Sequence, residues 1–191
     1  MQKNPELTRQ KLINAFLDLY EEKPIEKISI GELTKSAGIY RGTFYYYYKD
    51  IYDLLDAVES EFLILNLQIV SHIIDGIFMQ NIESKVPLLL SYYQQNERQI
   101  HVFLVKRPNP VILRKMKDAG KKVALARLGI NENQLSVNAS YIAEYIASAQ
   151  LGLITRWLEN GQDISPKELV NLIQSINLSG PITCLLKENL H

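Results

Sequence analysis

Apolar residues recur at helical spacing along almost the whole chain, and this periodicity constrains the fold more than any other feature of the sequence. The alternation of apolar and polar residues that is typical of strands is hard to find, and only 9 glycines and 7 prolines interrupt the 191 residues. The sequence therefore predicts an all-α protein. Its 47% hydrophobic and 22% charged residues are typical of a folded globular chain.

Local signals near the N-terminus divide the pattern into four helices. The first is predicted over about residues 5–22. Ser29 and Glu32 have the spacing of a capping box at the start of the second helix, and Gly38 is suited to end it. A short third helix is predicted from about Tyr40, and Asp50 can cap a long fourth one.

Further breaks are predicted near Asn81, near Asn96, at 108–110, at 129–133 and at 160–161, which gives about five more helices. The last of them is expected to begin at Ser165, where serine, proline and glutamate follow one another in the order of a capped helix start. We expect an N-terminal domain at 1–50 and a C-terminal domain at 51–191.

The charge and cysteine content exclude several classes of protein. Formal net charge is zero, so the chain as a whole has no field that would attract nucleic acid or a membrane. Cys184 is the single cysteine, and His72 and His101 stand alone, so we predict no metal and no cofactor. No secretion signal or apolar span of about 18 residues is seen, which predicts a cytoplasmic protein without membrane contact.

Residues 29–48 read as a helix, a tight turn with glycine and a short second helix, the layout of a helix-turn-helix that places its second helix in the DNA major groove. Phe44 and Tyr48 are four residues apart and can face the domain core, which turns Arg41 and Tyr45 outward. Glycine inside a helix lowers its stability, so the presence of Gly42 in the short helix suggests that another molecule approaches the backbone closely there.

The chemistry of this short helix favours double-stranded DNA as a partner. Arginine can form two hydrogen bonds with a guanine edge, and tyrosine and threonine hydroxyls can donate to phosphates. From Leu33 to Lys49 the chain carries three bases and no acid, so the local charge has the sign that DNA requires.

The segment TRQKLINAFLDLYEEKPIEKISIGELTKSAGIYRGTFYYYYKDIYDLL resembles the N-terminal domain of the TetR family of repressors. The most specific part is Ala37-Gly38-Ile39 followed by Gly42-Thr43-Phe44-Tyr45 and the pair Tyr47-Tyr48. The resemblance implies an N-terminal three-helix DNA-binding domain and a C-terminal helical bundle for sensing and dimerisation. The DNA-binding residues it implies are Ser29, Tyr40, Arg41, Gly42, Thr43, Tyr45, Tyr46, Tyr47 and Lys49.

Two positions depart from the usual pattern of that family. Tyr40 stands where a serine or threonine commonly caps the recognition helix, and Ile51 stands where a lysine is common. The first departure concerns the usual cap and phosphate contact of the recognition helix, and the second concerns the usual phosphate contact at the start of the fourth helix.

The C-terminal part resembles the family's sensor domain, in which the last two long helices form the dimer interface. Three alanines at intervals of four residues would let a partner helix approach closely, whereas burial within one chain is the alternative reading of the same stripe. The predicted homodimer interface consists of Ala139, Ala143, Ile146, Ala147, Leu169 and Ile173.

The resemblance also implies a small-molecule effector of unknown identity. Aromatic and methionine side chains are candidates for its pocket, although such residues at helical spacing also fill ordinary cores. The candidates are Tyr92, Tyr93, Phe103, Met116 and Trp157. Residues 106–127 carry eight bases and one acid, which suits an anionic ligand or a solvated face balanced by acids elsewhere.

The predicted function is a sequence-specific transcriptional regulator, a repressor that binds a palindromic operator as a dimer and is released by its effector. One alternative keeps the fold but has a protein partner instead of a small molecule. Another is a helical enzyme, which the absence of a phosphate loop, a nucleophile elbow or clustered carboxylates in the sequence disfavours.

Overall fold

The computed structural model describes residues 5–78 and 82–180, and within these ranges the chain is all-α, with eight α-helices and no strand. The prediction of an all-α fold is confirmed. Two short 3-10 turns lie at Ile25–Lys27 and Glu132–Gln134, and a π-helical turn lies at Val102–Lys106. The helices are α1 (Pro5–Glu22), α2 (Ile30–Ala37), α3 (Arg41–Tyr47), α4 (Ile51–Phe78), α5 (Ile82–His101), α6 (Pro110–Arg127), α7 (Val137–Glu159) and α8 (Pro166–Ser179).

Side-chain caps place the helix starts that the sequence predicted. Ser29 Oγ accepts from the backbone N–H of Glu32 at 3.2 Å, at the start of α2. Asp50 Oδ1 accepts from two N–H groups of the first turn of α4, each at 2.9 Å. At α8, Ser165 and Glu168 form a complete capping box.

Two details of the helices differ from the sequence prediction, and a third falls on residues that the structure does not describe. The Glu32 carboxylate does not complete a capping box with Ser29, because it pairs with Lys23 at 2.6 Å. The break near Asn96 is wrong: α5 continues through this residue, whose side-chain amide donates to the Tyr92 carbonyl one turn earlier, at 2.9 Å. The predicted break near Asn81 lies outside the described residues, as does Cys184.

The chain divides into two compact units, Met1–Ile64 and Leu65–His191. The predicted division after residue 50 falls at the start of α4, whereas the first part of that helix belongs to unit 1. Leu54 and Val58 are buried there, and Arg9 of α1 pairs with Glu61 of α4 at 2.7 Å. The core of unit 1 also contains Leu12, Phe16, Leu33 and Phe44, each fully buried.

Unit 2 is built from the second part of α4 and from α5 to α8. Its buried side chains include Phe103, Ile112, Leu125 and Trp157. Arg127 at the end of α6 pairs with Asp75 of α4 at 2.8 Å. Across the described ranges, no helix is both long and apolar enough to span a bilayer.

Candidate nucleic-acid interface

The segment from Ser29 to Tyr48 forms a helix-turn-helix, and each of its two helices contributes one fully buried side chain to the core of unit 1. Leu33 of α2 and Phe44 of α3 are fully buried. Gly38 ends α2 in the left-handed conformation, with φ 64° and ψ 37°, which glycine adopts without steric cost. The next residue, Ile39, donates its N–H to the Thr34 carbonyl at 2.9 Å and so fixes the turn into α3.

The outward side of α3, together with the residue that precedes the helix, exposes three tyrosine side chains. Tyr40 is 84% exposed, Tyr46 is 82% exposed and Tyr45 is 49% exposed. On the inward side, Phe44 is fully buried and Tyr48 is 6% exposed, as the spacing predicts. Large amphipathic rings without cover in the chain itself are typical of a surface that binds another molecule.

Gly42 lies on this exposed side, in the first turn of α3. A Cβ atom built at this position would meet no atom within 4 Å. The fold therefore does not require glycine here, although glycine makes the helix less stable than alanine would. The close approach of an external molecule remains as a physical reason for it.

Arg41 and Tyr45 contact each other on the same exposed side. Arg41 Nη2 donates to the Tyr45 hydroxyl oxygen at 3.3 Å, and the guanidinium carbon lies 5.8 Å from the centroid of the Tyr45 ring. A cation at this distance from a phenol ring is attracted to it. The arginine side chain is thus held along the helix towards its C-terminal end.

The other predicted DNA-binding residues are placed around α3. Ser29 and Lys49 are exposed, and Thr43 is half-buried. Ser29 Oγ already accepts from Glu32 but keeps its own hydroxyl proton to donate. Tyr47 is half-buried, and its hydroxyl donates to the Pro5 carbonyl at 3.4 Å, so its ring turns towards the start of α1.

The start of α2 carries one acid, Glu32, close to the exposed Ser29. Lys23 Nζ lies 2.6 Å from both carboxylate oxygens and partly neutralises this charge. Because an unpaired acid at this position would repel a phosphate, the ion pair reduces this repulsion beside Ser29. Sequence analysis did not identify Lys23, which stands nine residues away in the loop after α1.

A second ion pair lies next to Tyr48, the residue that follows α3. Arg9 of α1 pairs with Glu61 of α4, and burial raises the pKa of the Tyr48 hydroxyl, an effect that the nearby Arg9 opposes. These residues join α1, the end of α3 and α4. No local pattern could have paired Arg9 with Glu61, because 52 residues separate them.

Two family sequence models match the chain. One, described as the C-terminal region of a transcriptional regulator, matches residues 80–178, and the other, described as bacterial regulatory proteins of the tetR family, matches residues 12–58. The chain belongs to the TetR family of transcriptional regulators. Within this TetR regulator, the helix-turn-helix at residues 29–48 is therefore the DNA-binding element, and the predicted family resemblance is confirmed.

Individual relatives agree with this assignment. The TetR regulator is 35% identical over 51 residues to the HTH-type transcriptional regulator AcrR of Shigella flexneri, a match that covers 27% of this chain and only 24% of that protein. The fold resembles a TetR transcriptional regulator from Streptococcus agalactiae 2603V, with a TM-score of 0.61, 19% identity and coverage of 90% and 94% of the two chains. It also resembles the fatty acid degradation regulator FadR from Bacillus halodurans, with a TM-score of 0.54, 17% identity and coverage of 95% and 98%.

In unit 2 of this TetR regulator, two of the predicted pocket residues meet. The rings of Tyr93 and Trp157 lie 5.8 Å apart, and Trp157 Nε1 donates to the Ile164 carbonyl at 2.7 Å. Tyr93 donates to Glu97 and also bonds to Gln162. These two aromatic residues therefore hold the loop between α7 and α8.

The remaining pocket candidates lie elsewhere in unit 2. Phe103 is fully buried and Met116 is half-buried. Burial raises the pKa of the Tyr92 hydroxyl to about 12, and the nearby side chain of Asn66 on α4 opposes this rise. Gln99 lies two turns beyond Tyr92 on the same face of α5, and its Oε1 is buried without a hydrogen-bond partner among the described residues.

The predicted interface residues of α7 and α8 differ in exposure. Ile146 is 40% exposed, and the alanine stripe (Ala139, Ala143 and Ala147) is half-buried. Leu169 and Ile173 are 7% and 8% exposed, which places them in the core of their own chain. A partner surface on α7 was predicted from the sequence, but the prediction did not include the exposed side chains of Tyr141 and Tyr145.

The basic stretch 106–127 is partly balanced by acids. Lys117 pairs with Glu144 of α7, and Lys121 lies 3.7 Å from the same carboxylate, whose pKa these two lysines lower.

Within the parts of the chain that the structure describes, no group of three or more His, Cys, Asp or Glu side chains is placed to hold a metal ion.

Proposed function

We propose that this TetR-family regulator is a repressor that binds a palindromic operator as a homodimer and leaves it when an effector binds in unit 2. The proposal depends most on one observation, the exposed surface of α3, where an arginine and several phenols stand outward around Gly42. We place the site of action of this regulator in the cytoplasm, together with its DNA.

The α3 surface has the chemistry of a major-groove reader. Arg41 keeps several N–H donors for a guanine edge, whereas the hydroxyls of Tyr45 and Ser29 and the ammonium group of Lys49 can reach phosphates. Gly42 leaves the helix backbone bare at the point where a base pair would approach.

The homodimer is supported by the outward side of α7. Five large apolar or aromatic side chains are 40 to 72% exposed on this one helix, and their spacing places them on one side. Gly152 lies on the same side, and a Cβ atom there would meet nothing within 4 Å, so a second helix could approach closely. The exposed residues are Val137, Tyr141, Ile142, Tyr145 and Ile146.

A second copy of the chain is the occupant that this surface favours, because a regulator with one helix-turn-helix reads a palindrome through two-fold symmetry. Since Leu169 and Ile173 are buried within the chain, we place the centre of the interface on α7. The last turn of α8 adds Leu178, which is 76% exposed.

The effector site is proposed on the face of α5 that carries Tyr92 and Gln99. A buried carbonyl oxygen without a partner is costly, so Gln99 Oε1 favours a ligand with a hydrogen-bond donor. Asn66 beside Tyr92 belongs to α4, the helix that contributes to both compact units. A ligand bound there would touch the helix whose first part supports α3.

Selection from a pool of random duplexes tests this function. The purified protein should enrich an inverted repeat, and the Arg41→Ala variant should enrich a more degenerate one, because it lacks the proposed base contact. The Gln94→Ala variant, altered at an exposed position of α5, serves as a control and should select the parent's sequence. Recovery of unenriched sequence by the parent protein would contradict the proposal.

A further inference from the structure

We propose that Tyr45 is a positioning residue for Arg41: it holds the guanidinium in the orientation that reads a base, and it does not act only as a separate phosphate contact. This inference rests on the proposed function, since it assumes that Arg41 reads a base. It assigns to Tyr45 a role in sequence discrimination.

The first step is the anchoring of Tyr45 itself. Its ring meets the ring of Phe44 edge-on, with centroids 5.6 Å apart and an interplanar angle of 83°. Phe44 is fully buried, and Tyr45 is only 49% exposed, compared with 82% for its neighbour Tyr46. The Tyr45 ring is therefore held against the core of unit 1, whereas most of Tyr46 extends into solvent.

The second step is the contact between Tyr45 and Arg41. Nη2 of Arg41 lies 3.3 Å from the Tyr45 hydroxyl, and the guanidinium carbon lies 5.8 Å from the ring centroid. The two residues are four apart on α3, the spacing at which helix side chains are neighbours. The hydroxyl and the ring thus act on the same guanidinium.

The third step concerns the N–H donors of Arg41 that this contact leaves available to a guanine. A guanidinium has five N–H donors in one plane, and the bond to Tyr45 uses one of them. The others can still form the two parallel bonds to O6 and N7 of a guanine. An unrestrained arginine loses much rotational freedom when it binds, so prior restraint by Tyr45 should improve the specific contact about 2- to 10-fold.

A double-mutant cycle tests the inference. The ratio of the dissociation constants for scrambled and operator DNA is measured for the parent, Tyr45→Leu, Arg41→Ala and the double variant. We expect Tyr45→Leu to lower this ratio about 2- to 10-fold in the parent and to leave it unchanged in the Arg41→Ala background. Tyr46→Leu is the matched control, and its effect should be the same in both backgrounds.

Two outcomes would overturn the inference. An equal effect of Tyr45→Leu in both backgrounds would show that Tyr45 contacts DNA independently of Arg41. An unchanged ratio with weaker binding to both DNAs would show that Tyr45 is a phosphate contact alone.

The contact between the two side chains can also be measured without DNA. The δ-methylene protons of Arg41 should show an upfield ring-current shift in the NMR spectrum, which Tyr45→Leu removes and Tyr46→Leu keeps. Absence of this shift in the parent overturns the inference even if the protein discriminates operator DNA. A parent protein that does not discriminate operator from scrambled DNA instead overturns the proposed function.

Discussion

Arg41 begins α3 and Lys49 lies two residues beyond its last residue, and we expect them to contribute differently to DNA binding. Arg41→Ala should bring the affinities for operator and scrambled DNA closer together, because a base contact discriminates by about 1 to 3 kcal/mol. Lys49→Ala should lower both affinities and flatten the dependence of log K on log salt by about one unit, because it removes one phosphate contact. Titrations of both variants at several salt concentrations measure these effects.

Each variant is the control for the other in these titrations. Unaltered discrimination in Arg41→Ala would contradict its assignment to a base. A change of discrimination in Lys49→Ala, with the salt dependence of the parent, would contradict its assignment to a phosphate.

Gly42 leads to a prediction in which stability and binding change in opposite directions. Gly42→Ala should raise the free energy of unfolding by about 0.5 to 1 kcal/mol, since alanine favours the helix and the Cβ meets no atom. The same methyl group should weaken operator binding, because it stands where the bases would approach. Chemical denaturation and operator titration provide the two measurements.

Ser60→Ala on α4 is the control for this change. It replaces an exposed helical residue of unit 1 by alanine away from α3, and it should stabilise the protein without weakening DNA binding. If Gly42→Ala bound operator as tightly as the parent, the glycine would not serve a close approach to DNA.

At the scale of the helices, the starts and ends were predictable where the signal is local. Ser29, Gly38 and Ser165 act on backbone groups within a few residues, so the chemistry that places these ends is visible in the sequence. Asn96 gave a misleading signal, because an asparagine inside a helix can satisfy its side chain on the carbonyl one turn earlier.

The sides that the helices bury were less predictable than their ends. α8 is amphipathic, but the pattern does not say whether Leu169 and Ile173 pack within the chain or against a partner. The outward chemistry of α3 could be predicted from Phe44 and Tyr48, because a short helix has only one anchored side. Contacts such as Arg9 with Glu61 depend on the tertiary fold and carry no local signal.

The outward side of α7 gives a prediction for assembly. Ile142 is 59% exposed in the single chain, so Ile142→Glu should leave the fold intact, but in a dimer it would bury a charge without a partner. We expect this variant to be monomeric at concentrations at which the parent is a dimer. Light scattering measures the mass, and circular dichroism confirms that the helices persist.

Val111→Glu provides the matched control for Ile142→Glu. Val111 is 46% exposed on α6, so the same kind of charge is introduced on an exposed apolar side chain outside α7, and the dimer should persist. An intact dimer in Ile142→Glu would place the interface on another surface.

For the whole molecule, we propose that an effector acts on DNA binding through α4. Glu61 ties its first part to α1, and Asp75 ties its second part to Arg127 of α6. A dimer of helix-turn-helix chains must match two half-sites about 34 to 36 Å apart or a multiple of this spacing. If the proposed effector alters α4, we therefore expect the affinity for operator DNA to fall. By linkage, operator DNA must then weaken effector binding by the same factor.

We expect the dimer to read a specific DNA sequence through α3, and titration of two matched duplexes measures this specificity. The selected inverted-repeat duplex and a scrambled duplex of equal length and composition are titrated with the parent protein at physiological salt. We expect the inverted repeat to bind at least about 10³-fold more tightly, with one dimer per duplex. Equal affinity for the two duplexes at every salt concentration would contradict it.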